Sequence, residues 1–227
     1  MRTVNANTGR RVAGFSALAL LIACVGNAGA QPASSEKKVT RFPEKIDRAC
    51  REGDAELYDE CGEQKALFRA ALNEANRSGK TLIVSFGAEW CIWCHVFDAH
   101  LAGATGRYTY RAYDDRVSMD ERGGKDVRAD AARLNEFASR NLVVVHIEAD
   151  HAPGGVEVLR AVGVDVSKIK GLPYIFSITS SGKLAVVFDN EKSEVRRDIP
   201  WDLYRGYDRK SLLQQLSQMH AAARAGR

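Results

Sequence analysis

The sequence predicts an α/β protein with a central mixed β-sheet and helices packed against it. Three observations predict it. TLIVSF, residues 81–86, and LVVVHIEA, residues 142–149, are continuous apolar, β-branched runs, the pattern of strands buried on both faces. Stretches with helical spacing lie before, between and after them. A third run, GLPYIFSIT at 171–179, is joined by Ser180-Ser181-Gly182-Lys183 to LAVVF at 184–188, a hairpin signal that adds antiparallel strands.

Taken in order, residues 1–30 read as an export signal. Arg2, Arg10 and Arg11 make a positive start without an acid, VAGFSALALLIACV follows as a short apolar stretch, and Ala28-Gly29-Ala30 is a cleavage pattern. Leu21-Ile22-Ala23-Cys24 also resembles a bacterial lipobox, which would make Cys24 a lipidated first residue and GNAGAQPASSEKK a tether. A soluble periplasmic form and a lipoprotein therefore both stand. Residues 31–41 are polar and read as mobile, and 43–60 read as a short helical extension. Between 62 and 76, Ala66, Leu67, Ala70, Ala71 and Ala75 recur at helical spacing, and Ser78-Gly79-Lys80 ends that helix. The first strand leads into the turn Gly87-Ala88-Glu89, where Glu89 reads as an exposed turn residue. Cys91 opens the next helix, which runs to about Leu101.

Residues 102–125 are polar, rich in Tyr and Arg and without periodicity, and read as a long inserted loop of functional character. Val127, Ala131, Leu134 and Phe137 mark a helix before the second strand, and a short helix at 156–162 precedes the third. A further polar insertion spans 189–204. Leu212, Leu213, Leu216 and Met219 mark a closing amphipathic helix over 209–223. The organisation is thus 1–30 signal, 31–61 linker and N-terminal extension, and 62–227 one domain with an insertion at 102–125.

Composition limits the function classes. Of 227 residues 45% are hydrophobic and 27% charged, as in ordinary globular chains. Without the three arginines of the leader, 30 basic residues face 29 acidic ones, so there is no electrostatic case for binding nucleic acid. No apolar run after residue 30 is long enough to span a bilayer.

Five cysteines are present. With Cys24 assigned to the leader, four remain, and an even number in an exported protein suggests two pairs. Cys91 and Cys94 are too close to staple much chain, so that pair reads as chemical. Cys50 and Cys61 enclose REGDAELYDE and read as a structural disulfide; a second redox pair relaying electrons to the first is the alternative.

Cys91-Ile92-Trp93-Cys94 is the pair of a thiol–disulfide enzyme, and adding His95 gives the attachment sequence of a c-type haem. Ala88-Glu89-Trp90-Cys91-x-x-Cys94 after a buried strand, with Gly171-Leu172-Pro173-Tyr174 before a later one, resembles the thioredoxin-like family. The Ser181-Gly182-Lys183 hairpin and the final helix match as well. The resemblance covers about residues 62–223 apart from two insertions, and GKTLIVSF with Trp90-Cys-x-Trp-Cys94-His95 resembles the secreted bacterial thioredoxin-like branch.

The resemblance implies a thioredoxin-like three-layer sandwich with a central mixed β-sheet, here carrying an N-terminal helical extension and an inserted loop. It implies an extracytoplasmic thiol–disulfide oxidoreductase without a cofactor or metal. Cys91 would attack, Cys94 would resolve, and Pro173, cis in the family, would face them with Leu172 beside it. Trp90, Trp93, Glu89 and His95 would bind substrate or tune the thiols, His95 otherwise being a helix-surface residue. Its partners would be protein thiols or disulfides and a redox-recycling partner, with membrane attachment only through Cys24. Where thioredoxins carry a buried Asp six residues before the first cysteine, this chain has Ser85, so a proton shuttle to Cys94 would need another group, water or Glu89.

A haem needs a pocket for a large ring and a second axial side, which a motif at the end of a central strand does not suggest. Two other readings stay open. Cys91, Cys94 and His95 could hold copper(I) or zinc, although no fourth ligand is evident. The 102–125 loop, with Tyr108, Tyr110 and Tyr113, could bind a partner while the cysteines are incidental.

Overall fold

Two long parallel strands, β2 (Thr81–Gly87) and β5 (Leu142–Glu148), form the centre of the sheet, and every residue of both is buried. In the computed structural model, residues 37–226 are described except 48, 52, 54, 113–114, 122–124 and 200–201. The leader, Cys24 and Tyr113 lie outside the described residues, as do the side chains at 110–117. The sheet order is β1-β5-β2-β6-β7, with β1 (Thr40–Phe42) parallel to β5 and with β6 (Tyr174–Ile178) and β7 (Leu184–Val187) antiparallel. The sheet is therefore mixed, as the two apolar runs and the hairpin signal predict.

Alternation along β2 sets the layers. Leu82, Val84 and Phe86 pack with Val143, Val145 and Ile147 against α1 (Gln64–Ser78) and α4 (Gly155–Val162). Ile83 and Val144 face the other way, toward α2 (Ile92–Leu101), α3 (Lys125–Asn141) and α5 (Arg209–Ala225). Each fully buried aliphatic side chain contributes about 1.5–3 kcal/mol. The result is a three-layer sandwich, with helices on both faces of a mixed sheet. Gly79 ends α1 in the left-handed region at φ 69°, where its missing Cβ removes the steric cost. Among the described residues no helix is long and apolar enough to cross a membrane.

Three expectations are corrected. Part of the stretch read as mobile is the edge strand β1. Residues 43–60 form no helix among the described residues but turns and bends. Pro43 and the positive φ of Arg51 and Gly53 oppose a helix, and the backbone N–H groups of 56–58 are taken by a distant carboxylate instead of by helical carbonyls. The insertions are also ordered differently. Residues 102–125 hold a β-hairpin of β3 (Arg107–Ala112) and β4 (Asp115–Asp120), and 189–204 lead into a second, β8 (Glu194–Ile199) with β9 (Asp202–Tyr207).

The hairpins are anchored by buried side chains. Tyr108 and Met119 are cross-strand partners and both are buried, and Tyr204 and Tyr207 join them in the core. Glu121 pairs with Arg209 at 2.9 Å, both nearly inaccessible, and accepts the Tyr108 hydroxyl at 2.7 Å. Tyr108 is thus an anchor, not part of a docking surface. His100 stacks on Tyr108, and burial together with the Arg209 charge pushes its pKa down to about 3, so it stays neutral.

Candidate active site

β2, the middle strand of the sheet, delivers the cysteine motif at its C-terminal end. The strand ends at Gly87, where a Cβ would stand 2.5 Å from Cys94 Sγ and 2.5 Å from the Tyr58 hydroxyl, so only glycine fits. The chain turns through Ala88-Glu89-Trp90, and Cys91 N–H closes the turn on the Ala88 carbonyl at 3.0 Å. Cys91 is then the N-cap of α2, and its Sγ accepts the Cys94 N–H at 3.3 Å. Cys91 and Cys94 are joined as a disulfide, with Cα atoms 5.3 Å apart. Cys91 is 4% exposed and Cys94 0%, so Cys91 is the more accessible of the two. In the reduced pair, the helix N-terminus would favour thiolate at Cys91.

Leu172, Trp90 and Trp93 pack against the buried cluster of Leu57, Tyr58, Cys91 and Cys94. The Leu172–Pro173 peptide is cis. Asn190, from the second insertion, donates to the Pro173 carbonyl at 3.0 Å and so holds the backbone after that bond. Trp90 donates to the Asp150 carboxylate at 2.6 Å, and Trp93 meets Tyr207 of β9 edge-on at 5.6 Å. The structure therefore brings Cys91, Cys94, Trp90, Trp93 and Leu172 together, with Pro173 joined to Leu172.

Glu89 and His95 differ from their expected places. Glu89 is 6% exposed, and its carboxylate accepts the backbone N–H groups of Glu56, Leu57 and Tyr58 at 2.9, 3.0 and 2.9 Å. His95 is 8% exposed and turns its Nε2 back to Glu89, so it is not a helix-surface residue. Burial works against charge on both, but their mutual attraction and the backbone donors prevail. Glu89 is held below the usual carboxylate range and His95 is raised above the usual imidazole value. A turn residue becomes buried here because the N-terminal extension folds over it, and that long-range contact leaves no mark on the local pattern.

Cys50 and Cys61 are also bonded, Cα atoms 6.1 Å apart, closing the loop whose Leu57 and Tyr58 share a buried cluster with Cys91 and Cys94. Near Cys94 lies a polar cluster of which the sequence singles out only Ser85. The Tyr58 and Ser85 hydroxyls are 3.1 Å apart, and Tyr58 meets the His146 ring edge-on at 5.3 Å. His146 Nε2 is 3.3 Å from Asp98, which pairs with Arg41 of β1 at 2.5 Å. One signal was available: Ser85 and His146 are polar residues inside apolar runs, in register on neighbouring strands, and buried polar groups need partners.

No family model matches the chain, and no curated protein matches it. Among the solved structures similar to it are the following two. A disulphide isomerase from Xylella fastidiosa Temecula1 is 21% identical, with TM-score 0.37, over 60% of this chain and 80% of that one. The C-terminal domain of Neisseria meningitidis DsbD, in the oxidised form, is 14% identical, with TM-score 0.34, over 70% of this chain and 97% of that one. Likeness at this level transfers no residue role. What the site itself holds is a dithiol–disulfide couple, which can exchange two electrons with another such couple.

Proposed function

We propose that the chain is an extracytoplasmic thiol–disulfide oxidoreductase acting on protein thiols or disulfides. The observation that carries this reading is the bonded Cys91–Cys94 pair at a helix N-terminus, graded in burial and packed under Leu172. The reduced Cys91 thiolate attacks a substrate disulfide and forms a mixed disulfide. Cys94 then attacks Cys91 Sγ, expels the substrate thiolate and closes the intramolecular bond. The reverse sequence oxidises a substrate dithiol. Backbone next to Pro173, held by Asn190, offers hydrogen-bonding groups to an extended partner segment, and Trp90 and Trp93 flank it. The export-signal pattern at 1–30 and the lipobox at Cys24 support a reaction outside the cytoplasm, where a redox partner returns the pair to its working state.

The test is mixed-disulfide trapping in cells. Cys94→Ser accumulates adducts that resolve under reducing conditions, because the attacking thiol survives without its resolver. Cys91→Ser accumulates none. Equal trapping by both variants, or none by either, overturns the assignment of roles.

A further inference from the structure

Cys94 is fully buried, so ionising its thiol inside the protein requires a hydrogen-bond donor. Ser85, six residues before Cys91, supplies no carboxylate. What the structure places there is a phenol: the Tyr58 hydroxyl and Cys94 Sγ each lie 2.5 Å from the point where a Gly87 Cβ would stand, so they are at most about 5 Å apart. The hydroxyl is backed by Ser85 Oγ at 3.1 Å, and both residues are 0% exposed. Burial keeps the phenol protonated against the opposing Ser85 hydrogen bond, and Asp98, Glu89 and Glu148 act in the same direction as burial. It is therefore a donor and not a base.

We propose that Tyr58 is the hydrogen-bond donor to the Cys94 thiolate during resolution of the mixed disulfide, and that Ser85 positions it. This rests on Cys94 being the resolving thiol. With the thiol protonated or bonded, the Tyr58 O–H is directed to Ser85. As Cys94 ionises, the Tyr58 O–H swings to the sulfur and the Ser85 O–H donates to Tyr58 in turn. The proton released by Cys94 goes to solvent, Cys94 Sγ bonds to Cys91 Sγ, the Cys91–substrate bond breaks, and the departing substrate thiolate takes a proton from solvent. The substrate gains two electrons and the cysteine pair loses two. The hydroxyls exchange hydrogen bonds only. The other ionisable groups around this cluster are Glu89 in the turn before α2, His95 in its first turn, Asp98 further along it with Arg41 of β1, and His146 and Glu148 of β5.

The test reads Cys94 directly. In a full-length Cys91→Ser chain, the Cys94 β-carbon NMR shift is followed against pH. Tyr58→Phe raises the ionisation midpoint by about one pH unit, and Ser85→Ala raises it by less. The same Tyr58→Phe change in the otherwise native protein slows mixed-disulfide resolution about tenfold near pH 7 and less at higher pH. A folded Tyr58→Phe chain with an unmoved midpoint overturns the proposal. If Tyr58→Phe does not fold, an unmoved midpoint in Ser85→Ala overturns it. Failure of the exchange reading is distinguishable, because the trapping variants then yield no adducts while the Cys94 titration still responds to Tyr58.

Discussion

His95 Nε2 lies 2.6 Å from the backbone carbonyl of Glu89 and 3.3 Å from its carboxylate, so one imidazole closes the active-site turn onto both ends of one residue. The same carboxylate holds the backbone of the segment carrying Tyr58. The pair thus ties the cysteine helix to the chain that covers it.

The first prediction is a stability window. Glu89 has its folded pKa lowered from 4.5, so its contribution is present above pH 4.5 and is lost as pH falls through the lowered value. His95 has its folded pKa raised from 6.5, so its contribution is complete below pH 6.5 and is lost as pH rises through the raised value. The pair stabilises most between the two. Urea unfolding of the native chain and of His95→Gln should differ more at about pH 5.5 than at about pH 8.5, by on the order of 1 kcal/mol. Equal differences at both pH values would mean that His95 does not carry the charge.

A second prediction concerns the loop closed by Cys50 and Cys61. Replacing both with Ser lowers stability by about 2–4 kcal/mol, chiefly by freeing the unfolded chain. Turnover of the folded variant holds, because the Glu89 carboxylate still fixes residues 56–58. Peptide mapping checks the pairing. A large loss of turnover in a folded variant would favour an electron relay through the second pair.

Gly87→Ala is the third. The new methyl would press on Cys94 Sγ and the Tyr58 ring, neither of which is a flexible side-chain end. Overpacking of this kind costs about 1–3 kcal/mol and should lower the melting temperature by several degrees. An unchanged melting temperature would mean that the space under the cysteines is looser than described.

The fourth separates the β3–β4 hairpin's anchor from its tip. Glu121→Ala leaves Arg209 buried without its carboxylate and costs about 3–5 kcal/mol in chemical unfolding. Trimming within 110–117 leaves the fold intact, since Tyr108 and Met119 remain, and the trimmed chain still reduces a small disulfide. Selective loss on a protein substrate would then assign the tip to docking. Equal losses on both substrates would assign it a structural role.

The sequence by itself determined what local pattern can encode. The apolar runs at 81–86 and 142–149 could be satisfied only by burial on both faces, and Gly79 and the Ser-Gly hairpin stop elements through backbone geometry that acts over a few residues. Cys91 at a strand-to-helix junction is legible for the same reason. The hairpins were missed although RYTYRA and DRVSMD alternate, because their inward Tyr108 and Met119 are few and their turn is polar. Tertiary structure alone decided the rest. Glu89 is buried because residues 56–58, more than thirty positions earlier, bring it three N–H donors. Tyr58 lies near Cys94 because the Glu89 carboxylate fixes its backbone beside the cysteine turn. Such contacts depend on where distant chain segments meet, and a carboxylate or phenol looks the same in sequence whether its partner is water or a buried backbone.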